Sequence, residues 1–518
     1  MKTLIALCVS LSLVVGFSQA QIPMLTVAIQ LDDVITLDPG RAFETTNATV
    51  HYATYETLLE IRPDDLNTVV PLLATGFTLS DDRLTYTFTL DPAARFASGS
   101  PVTAEDVRFS WMRLKNLKGS PAFYTDAIAA IDTPDERTVV VTLTTPTPAF
   151  PTLVTATAMS ILEKAIVVAN GGTDAPDADQ TDTADAWLSQ NSAGSGAYLL
   201  ERWTPNREIV LTRNPAYWRD DPHFDLITLV DGLDSGTALG LLESGAVDLI
   251  DNLDPALANT VALDAALRLE VGQTLDLTIM AMSSNRAFQL PLSNRLVRRA
   301  IARAIDYDSI IRDLLSGYAD RPASPLPIGI QGSNPGERYA TSLDAARSLL
   351  DQAGYAGGFE LTLSIGTGAP GGVPAEALAQ KIAADLAQVG ITVTLDQRPS
   401  AEFLAAFRAG ELPFVIGTWT PDYLDATMWS DFFSFPDRGW AGRVGFDVPF
   451  IADLAARAAN ETNSALRTEL YLQYQGAQVA EAVFIPLFQP QILYALRADV
   501  TGFAYHPVYR LSLPALAR

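Results

Sequence analysis

An alternation of strand and helix patterns in the C-terminal third of the chain restricts the fold more than any other feature. Apolar residues alternate along residues 359–365 and again along 391–395, which is the two-residue period of a strand. Between them, residues 375–389 carry apolar side chains at helical spacing. A second helix is predicted over 400–409, with its first residue as the cap, and a third strand over 413–419. This β-α-β-α-β order predicts a parallel sheet with right-handed crossovers, and therefore an α/β fold.

The loops after these strands are the predicted place for a ligand. In open α/β sheets, ligands bind beyond the carboxyl ends of the strands. Two of these ends lead into loops 366–374 and 418–425, which we expect on the same edge of the sheet. The first loop is rich in glycine but lacks the spacing of a phosphate-binding loop. The pattern therefore favours a small-molecule site of another kind.

The length of the chain requires more than one hydrophobic core. It has 518 residues, whereas a single core stops growing at roughly 250–300 residues, so we expect two or three domains. The formal net charge of −25 disfavours nucleic acid and anionic lipid as partners. With three histidines and one cysteine, a zinc site is nearly excluded, and we predict neither a metal nor a cofactor.

The first 20 residues have the pattern of a secretory signal peptide. Lys2 precedes an apolar run over residues 4–17, and a cleavage site with small residues follows. The run is too short to span a bilayer comfortably. Cys8 lies inside the run instead of ending it, which argues against a lipid anchor. We predict an exported, periplasmic chain that begins near residue 21 and contains no cysteine.

Local patterns predict two further features. Thr103 is a predicted helix cap, after which Val107, Trp111 and Leu114 fall on one helical face. Residues 170–185 are rich in Gly, Asp and Thr and are predicted to form an exposed surface loop.

Aromatic side chains concentrate in residues 414–450. Three of the seven tryptophans lie there, among them Trp419 and Trp440, in a segment with many Pro, Gly and Asp residues. Core packing explains part of this set, but aromatic walls with a few fixed charges are also typical of small-ligand clefts. Asp422 follows the third strand, where it could pair with a ligand ammonium group or serve as a helix cap or turn residue.

Catalysis is an alternative hypothesis for the same segment. Asp422 and Asp425 could serve a secreted hydrolase as acid and nucleophile, because glycosidases use such carboxylate pairs. However, the chain has 60 acidic residues, so close pairs are common. The sequence motifs of serine hydrolases, zinc proteases and P-loop enzymes do not occur in it. A third hypothesis is a binding module without a transport role, such as a sensor partner or a chaperone-like protein.

Several blocks of sequence, taken in order, resemble the extracellular solute-binding proteins of family 5, which are the oligopeptide and dipeptide receptors of ABC importers. The blocks are LDP at 37–39, YETLL at 55–59, FASGSPVTAEDV at 96–107, GSGAY at 194–198, RNPAYW at 213–218 and VRRAI at 297–301. Each block is short, but their order and spacing are specific and extend over nearly the whole mature chain.

This resemblance implies a type II periplasmic-binding-protein fold, with two lobes and a ligand cleft between them. It implies that residues 21–60, 190–272 and 485–518 form the core of lobe I. Residues 61–189 would form an extra subdomain of that lobe, and residues 273–484 would form lobe II.

The resemblance also implies which residues bind the ligand. Oligopeptide members of the family have a W-x-x-D-Y motif whose Asp holds the α-ammonium group of the peptide. The motif matches Trp419, Asp422 and Tyr423 here.

A second implied contact comes from lobe I. In those members an extended segment after LDP pairs with the peptide backbone, and by spacing it matches Phe43, Glu44 and Thr45. These side chains are larger than the small ones of the peptide receptors. Trp440 and Arg443 complete the predicted site, Arg443 as a partner for a ligand carboxylate unless it is a surface arginine.

The implied function is that of a receptor which closes around a small solute and delivers it to the permease subunits of an ABC importer. A peptide is the first expected ligand. A nickel complex, an oligosaccharide or an opine-like compound are alternatives within the same class. We expect a monomer that catalyses no reaction.

Overall fold

The structure is a computed structural model that describes residues 23–288, 291–334 and 338–518. The predicted signal peptide, residues 1–20, lies outside the described residues. Within the described ranges, no helix combines the length and hydrophobicity that a membrane crossing requires.

The strands belong to one large sheet, one four-stranded sheet and two short hairpin-like pairs. In chain order they are β1 (Met24–Ala28), β2 (Leu59–Arg62), β3 (Asp65–Pro71), β4 (Ala74–Leu79), β5 (Thr85–Leu90), β6 (Ile128–Asp135), β7 (Thr138–Leu143), β8 (Tyr198–Thr204), β9 (Glu208–Arg213), β10 (Leu226–Val230), β11 (Leu249–Ile250), β12 (Leu267–Gln273), β13 (Leu277–Met282), β14 (Ala319–Asp320), β15 (Phe359–Gly366), β16 (Ile391–Arg398), β17 (Phe414–Trp419), β18 (Phe484–Arg497), β19 (Tyr505–His506) and β20 (Arg510–Leu511).

The α-helices pack on these sheets or connect them. In chain order they are α1 (Thr45–Thr54), α2 (Ala104–Leu117), α3 (Phe150–Leu153), α4 (Lys164–Ala169), α5 (Ala178–Thr181), α6 (Asp185–Leu188), α7 (Ser235–Ser244), α8 (Ala258–Leu263), α9 (Arg295–Ala304), α10 (Tyr307–Ser309), α11 (Leu343–Gln352), α12 (Ala375–Ala387), α13 (Ser400–Arg408), α14 (Thr427–Ser430), α15 (Gly439–Arg443), α16 (Pro449–Asn460) and α17 (Ser464–Glu481).

The predicted alternation of strands and helices forms one half of the large sheet, which we call lobe II. β15 runs parallel to both β16 and β17, with α12 and α13 as the connections, and β13 continues the sheet antiparallel to β17. The β-α-β-α-β prediction is confirmed. The predicted cap of α13 is wrong by one residue, because Pro399 holds the cap position. Ser400 is already helical, and its hydroxyl donates a hydrogen bond to the carbonyl of Thr367.

The other half of the large sheet builds lobe I. β1 lies between β10 and β11 and runs parallel to both, while β9 and β8 follow antiparallel beyond β10. Leu25, Val27, Ile227 and Leu229 are almost fully buried. Burial of this apolar surface supplies the main stabilisation of the half-sheet.

Two chain segments cross between the lobes. The 14-residue strand β18 pairs with β13 of lobe II through its first residues and with β12 of lobe I through its last. The second crossing is residues 274–276, between β12 and β13. The Gln489 amide donates to the Thr274 carbonyl at 2.6 Å, and the Thr274 hydroxyl donates to the Pro490 carbonyl. We call residues 274–276 and 489–490 the hinge. The predicted boundary at 484/485 therefore falls at the start of a strand that runs on through the hinge.

A subdomain of lobe I contains the four-stranded sheet, in the order β4-β5-β7-β6, with α2 packed on it. Thr103 caps α2 as predicted and forms a reciprocal capping box with Asp106. Val107, Trp111 and Leu114 are buried together in the core, which confirms the predicted helical face.

The acidic segment 170–185 differs from the prediction of an exposed loop. It includes the short helix α5, and Asp182 is only 8% exposed. The Asp182 carboxylate accepts hydrogen bonds from Arg113 at 2.8 and 2.9 Å, and Arg113 also donates to both carboxylate oxygens of Asp38, at 2.8 and 2.6 Å. The prediction holds for residues 176–177 and 179–181, which are exposed, and fails for Asp182, because its counter-ion Arg113 lies 69 positions earlier in the chain.

Candidate functional site

Two adjoining cavities lie between the lobes. The first, which we call the anchor cavity, has a volume of about 180 Å³ and is lined by residues 42–45 and 47–48 of lobe I and by residues 420–422 of lobe II, with others. The second, which we call the hinge cavity, has a volume of about 280 Å³ and contains hinge residues together with Gly371 and Gly372 of lobe II. Thr45 lines both cavities. Both predicted loops after the parallel strands therefore reach the space between the lobes.

Asp422 lies in the anchor cavity, just beyond the end of β17. Its backbone carbonyl accepts a hydrogen bond from the Tyr124 hydroxyl of lobe I at 2.8 Å. Its carboxylate receives no hydrogen bond and forms no ion pair within the described part of the chain. Burial raises the pKa of this carboxyl to about 7. An ionised carboxylate held in this way is stabilised by any cation that enters the cavity.

The lobe I side of the anchor cavity is the segment before helix α1. Glu44 occupies the cap position of α1, and its carboxylate accepts hydrogen bonds from the Asn47 amide at 2.8 Å and from the Phe43 backbone N–H at 3.0 Å. The Phe43 ring meets Phe123 edge to face, with 5.9 Å between the ring centroids. Thr45 is already the first residue of the helix. The segment is thus a helix entry and not a strand, which leaves little backbone free to pair with a ligand.

Trp419 and Tyr423 support the Asp422 loop without lining either cavity. The Trp419 indole donates to the Met428 carbonyl at 3.1 Å. The Tyr423 hydroxyl shares a hydrogen bond with Thr427 at 3.2 Å. These contacts fix both ends of the loop and so determine where Asp422 points.

Trp440 and Arg443 lie away from both cavities. Trp440 is 3% exposed and packs against Phe407 and Phe433, with ring centroids 5.0 and 5.7 Å away. The Arg443 guanidinium lies over the Phe407 ring, 5.2 Å from its centroid. Their predicted roles in ligand binding stay predictions without support from this geometry, because the alternative of core packing accounts for Trp440.

Asp425, the second carboxylate of the hydrolase hypothesis, is engaged elsewhere. It forms an ion pair with Arg467 at 2.7 Å and accepts hydrogen bonds from the backbone N–H and hydroxyl of Thr427 at 2.9 and 2.8 Å. It does not line the cavity that contains Asp422. The two carboxylates therefore do not face a common substrate position.

The sequence did not indicate the polar groups of the hinge cavity. Arg510 donates to both carboxylate oxygens of Asp276, at 3.2 and 2.9 Å, and donates to the Tyr505 hydroxyl at 2.7 Å. Burial alone would lower the pKa of Arg510, but the charge of Asp276 outweighs it and raises that pKa. Asp276 and Arg510 are separated by 234 positions in the chain, so no local pattern could have paired them.

A third and larger cavity, of about 360 Å³, lies inside lobe I. It contains Glu56, whose carboxylate accepts hydrogen bonds from Ser195, Tyr217 and Trp218 at 2.8 to 3.2 Å. Burial raises the pKa of Glu56 to about 7. The three donors connect the YETLL, GSGAY and RNPAYW blocks, so this polar cluster holds the lobe together. No residue of lobe II lines this cavity.

Comparisons with known proteins place the whole chain in one group. The sequence model of the bacterial extracellular solute-binding proteins, family 5, matches residues 68–440. The probable D,D-dipeptide-binding periplasmic protein of Escherichia coli K12 is 28% identical over 512 residues, which are 98% of this chain and 96% of that protein.

Solved structures share the same overall fold. A periplasmic binding protein of Helicobacter pylori in complex with the peptide STSA matches with a TM-score of 0.79 and 23% identity, over 95% of this chain and 98% of that one. A periplasmic binding protein from A.tumefacien R10 in complex with agropinic acid matches with a TM-score of 0.75 and 26% identity, over 95% and 96% of the two chains. The type II fold with two lobes, expected from the sequence, is confirmed.

Proposed function

This chain belongs to the bacterial extracellular solute-binding proteins of family 5, and on that premise we propose that it is a periplasmic receptor which binds a peptide between its lobes and delivers it to an ABC permease. Relatives support the peptide, since the E. coli protein named above is a probable D,D-dipeptide-binding protein. The signal-peptide pattern of the first 20 residues supports export.

The observation that carries the proposal is the carboxylate of Asp422 in the anchor cavity. It is largely buried, it lies between the lobes, and it has no cationic partner among the described residues. A peptide α-ammonium group supplies the missing positive charge and several hydrogen-bond donors. Since the Asp422 carboxyl is largely buried, that ion pair is stronger than one on the surface.

Binding works by closure of the two lobes about the hinge. A ligand in the anchor cavity contacts residues of both lobes and therefore favours the conformation in which the lobes meet. Within the described residues, two chain segments cross between the lobes. A rotation about residues 274–276 and 489–490 leaves the cores of both lobes intact.

The receptor role requires no catalysis, and the site is consistent with that. Asp425 is committed to Arg467 and does not line the anchor cavity, so it is not available as the partner of Asp422 in glycosidase chemistry. We propose a monomeric receptor that releases its ligand unchanged.

Native mass spectrometry of the purified protein tests this function directly. Denaturing analysis of the released compounds should yield peptides of mixed sequence and narrow length. If the protein retains nothing, di- to tetrapeptides at 1 mM should raise its melting temperature, since a ligand stabilises a protein by about RT ln(1 + [L]/Kd).

Asp422→Asn is the matched variant, since it removes the charge and keeps the shape. It should lose the peptides while keeping its fold. A single non-peptide compound in the wild-type protein, or no stabilisation by any peptide, would contradict the peptide assignment. Chemical change of the bound compound would contradict the receptor role.

A further inference from the structure

The ionisable groups of the two interlobe cavities give the cleft an unbalanced charge. Glu44, Asp422 and His51 are the ionisable groups that line the anchor cavity, apart from Tyr124. Burial lowers the pKa of His51 to about 4, and its Nε2 is within 3.1 Å of the Leu37 carbonyl, so its ring is neutral. The anchor cavity thus has one carboxylate from each lobe and no cation from the described residues.

The hinge cavity does not restore the balance. It is lined by two carboxylates, Asp251 and Asp276, and by one guanidinium, that of Arg510. Arg510 is buried and holds both oxygens of Asp276, so its charge is already matched. Across both cavities, the lining side chains of the described residues include no cation that is free to receive a ligand carboxylate.

An unsatisfied acceptor points to the same kind of ligand. Asn47 is 1% exposed and lines the anchor cavity beside Glu44. Its amide nitrogen donates to Glu44, while its Oδ1 has no hydrogen-bond partner. Buried polar atoms are normally satisfied. An acceptor without a donor, next to two carboxylates, suits a ligand that brings N–H groups.

The same set of lining side chains makes a ligand carboxylate unfavourable inside the two cavities. A buried anion without a hydrogen-bonded cation has a large desolvation cost, and nearby like charges increase it. Two extended residues span at most about 7 Å. A free dipeptide held by its ammonium group at Asp422 would therefore place its own carboxylate inside these cavities.

We propose that the ligand brings positive charge to both lobes, with an ammonium group that bridges Asp422 of lobe II and Glu44 of lobe I, and that it has no free carboxylate inside the two cavities. The substrate class is amines and peptides whose carboxyl end is blocked or lies outside the cleft. This proposal rests on the receptor function proposed above and specifies its ligand. A cation held between these two carboxylates contacts both lobes and therefore favours the closed conformation.

Isothermal titration calorimetry with matched peptides tests the proposal. The probes are L-Ala-L-Ala and D-Ala-D-Ala, each as the free acid and as the C-terminal amide, at pH 7 and low salt. The amide of at least one pair should bind ten or more times tighter than its acid. A free acid that binds as tightly as its amide, in either pair, overturns the proposal and leaves the receptor function standing. If none of the four probes binds, a receptor of short peptides is itself contradicted.

A charge variant in lobe I adds an independent measurement. Glu44→Gln should weaken binding of the amide and bring the ratio of amide to acid affinity towards one, because it removes half of the negative charge of the anchor cavity. Asp344→Asn is the control, since its side chain is 98% exposed on the surface of lobe II. It should leave both affinities unchanged. An unchanged ratio in Glu44→Gln, with the fold intact by circular dichroism, contradicts the bridge.

Discussion

At the scale of single residues, Asp422 and Asp425 show how position determines the chemistry of one side chain. Both follow the same strand and both are largely buried. Asp425 forms an ion pair with Arg467, whereas Asp422 faces a cavity with no partner of its own among the described residues. The first carboxylate therefore stabilises the fold, and the second is available to a ligand.

The raised pKa of Asp422 predicts that binding depends on pH. In the empty protein this pKa is about 7, and a bound ammonium group lowers it, so a proton must leave when the ligand binds at lower pH. The association constant for L-Ala-L-Ala amide should rise by about tenfold per pH unit from pH 5 to 6 and level off near 7.5. Calorimetry across this range measures it. Affinity that does not change with pH would contradict an ionised Asp422 in the complex.

The same pKa predicts opposite stability effects for two neighbouring substitutions. Since burial raises the pKa of Asp422 above its value in the unfolded chain, ionising it costs folding free energy as the pH rises from about 4 to 7. Asp422→Asn should therefore raise the unfolding free energy of the empty protein by about 4 kcal/mol at pH 8 and hardly at all at pH 4.

Asp425→Asn provides the comparison for this stability measurement. It leaves Arg467 buried and unpaired, and should lower the unfolding free energy by about 3 kcal/mol at pH 8. Urea denaturation of both variants at pH 4 and pH 8 measures these unfolding free energies. A loss of stability in Asp422→Asn at pH 8 would show that the carboxylate has a structural partner.

At the scale of elements, helix α2 has some features that follow from its local sequence and one that depends on distant segments of the chain. The capping box of Thr103 and the buried face around Trp111 follow from residues a few positions apart, and both were predictable. Arg113, on the same helix, joins Asp38 of the LDP block to Asp182 of the acidic segment. That connection holds the subdomain to the core of lobe I and depends on three distant parts of the chain.

Two arginines of α2 should differ in their contribution to stability. Arg113→Met leaves Asp38 and Asp182 buried with only the partly exposed Arg41 as a cation, at 3.5 and 3.3 Å, and we expect a loss of about 3 kcal/mol in the unfolding free energy. Arg108→Met is the matched control, since its ion pairs with Glu105 and Asp174 are partly exposed, and the loss should stay below about 1 kcal/mol. Chemical denaturation at pH 7 measures both. Equal effects would contradict the structural role of the buried network.

At the scale of the whole molecule, the lobes meet at Asp422, the residue that we propose as the ligand anchor. The Tyr124 hydroxyl of lobe I donates to the Asp422 carbonyl, and its ring meets Tyr423 with 6.4 Å between the centroids. These contacts exist only when the lobes are together. Closure and ligand capture are therefore coupled through one loop.

Tyr124→Phe should weaken ligand binding without disturbing either lobe. It removes one hydrogen bond of the closed state, worth about 1 kcal/mol, so the Kd for a bound peptide should increase about fivefold. Tyr86→Phe is the control, since Tyr86 is buried inside the subdomain and packs against Phe77 and Phe150 of the same subdomain. Calorimetry gives the Kd, and small-angle scattering of the empty protein should show a larger radius of gyration for Tyr124→Phe. Equal affinities in the two variants would contradict the coupling.

Local patterns in the chain were enough to predict part of its secondary structure and its family. The period of apolar residues predicted β15, β16, β17 and their helices, because side-chain direction repeats every two residues in a strand and about every 3.6 in a helix. Short blocks in a fixed order predicted the two-lobed fold, and the position of Asp422 after a parallel strand predicted its place at the cleft. These are local properties of the chain, and reading them needs no knowledge of distant contacts.

The pairing of charges, in contrast, follows from the three-dimensional fold. Asp182 and Asp425 are neutralised by arginines from other helices, Asp276 is held by Arg510, and Asp422 and Glu44 meet across a cavity without a cation. A sequence shows that a residue is charged but not which residue faces it, because burial and counter-ions come from segments tens to hundreds of positions away. Electrostatic energy depends on those distances and on exclusion of water, so the chemistry of the cleft exists only in the folded chain.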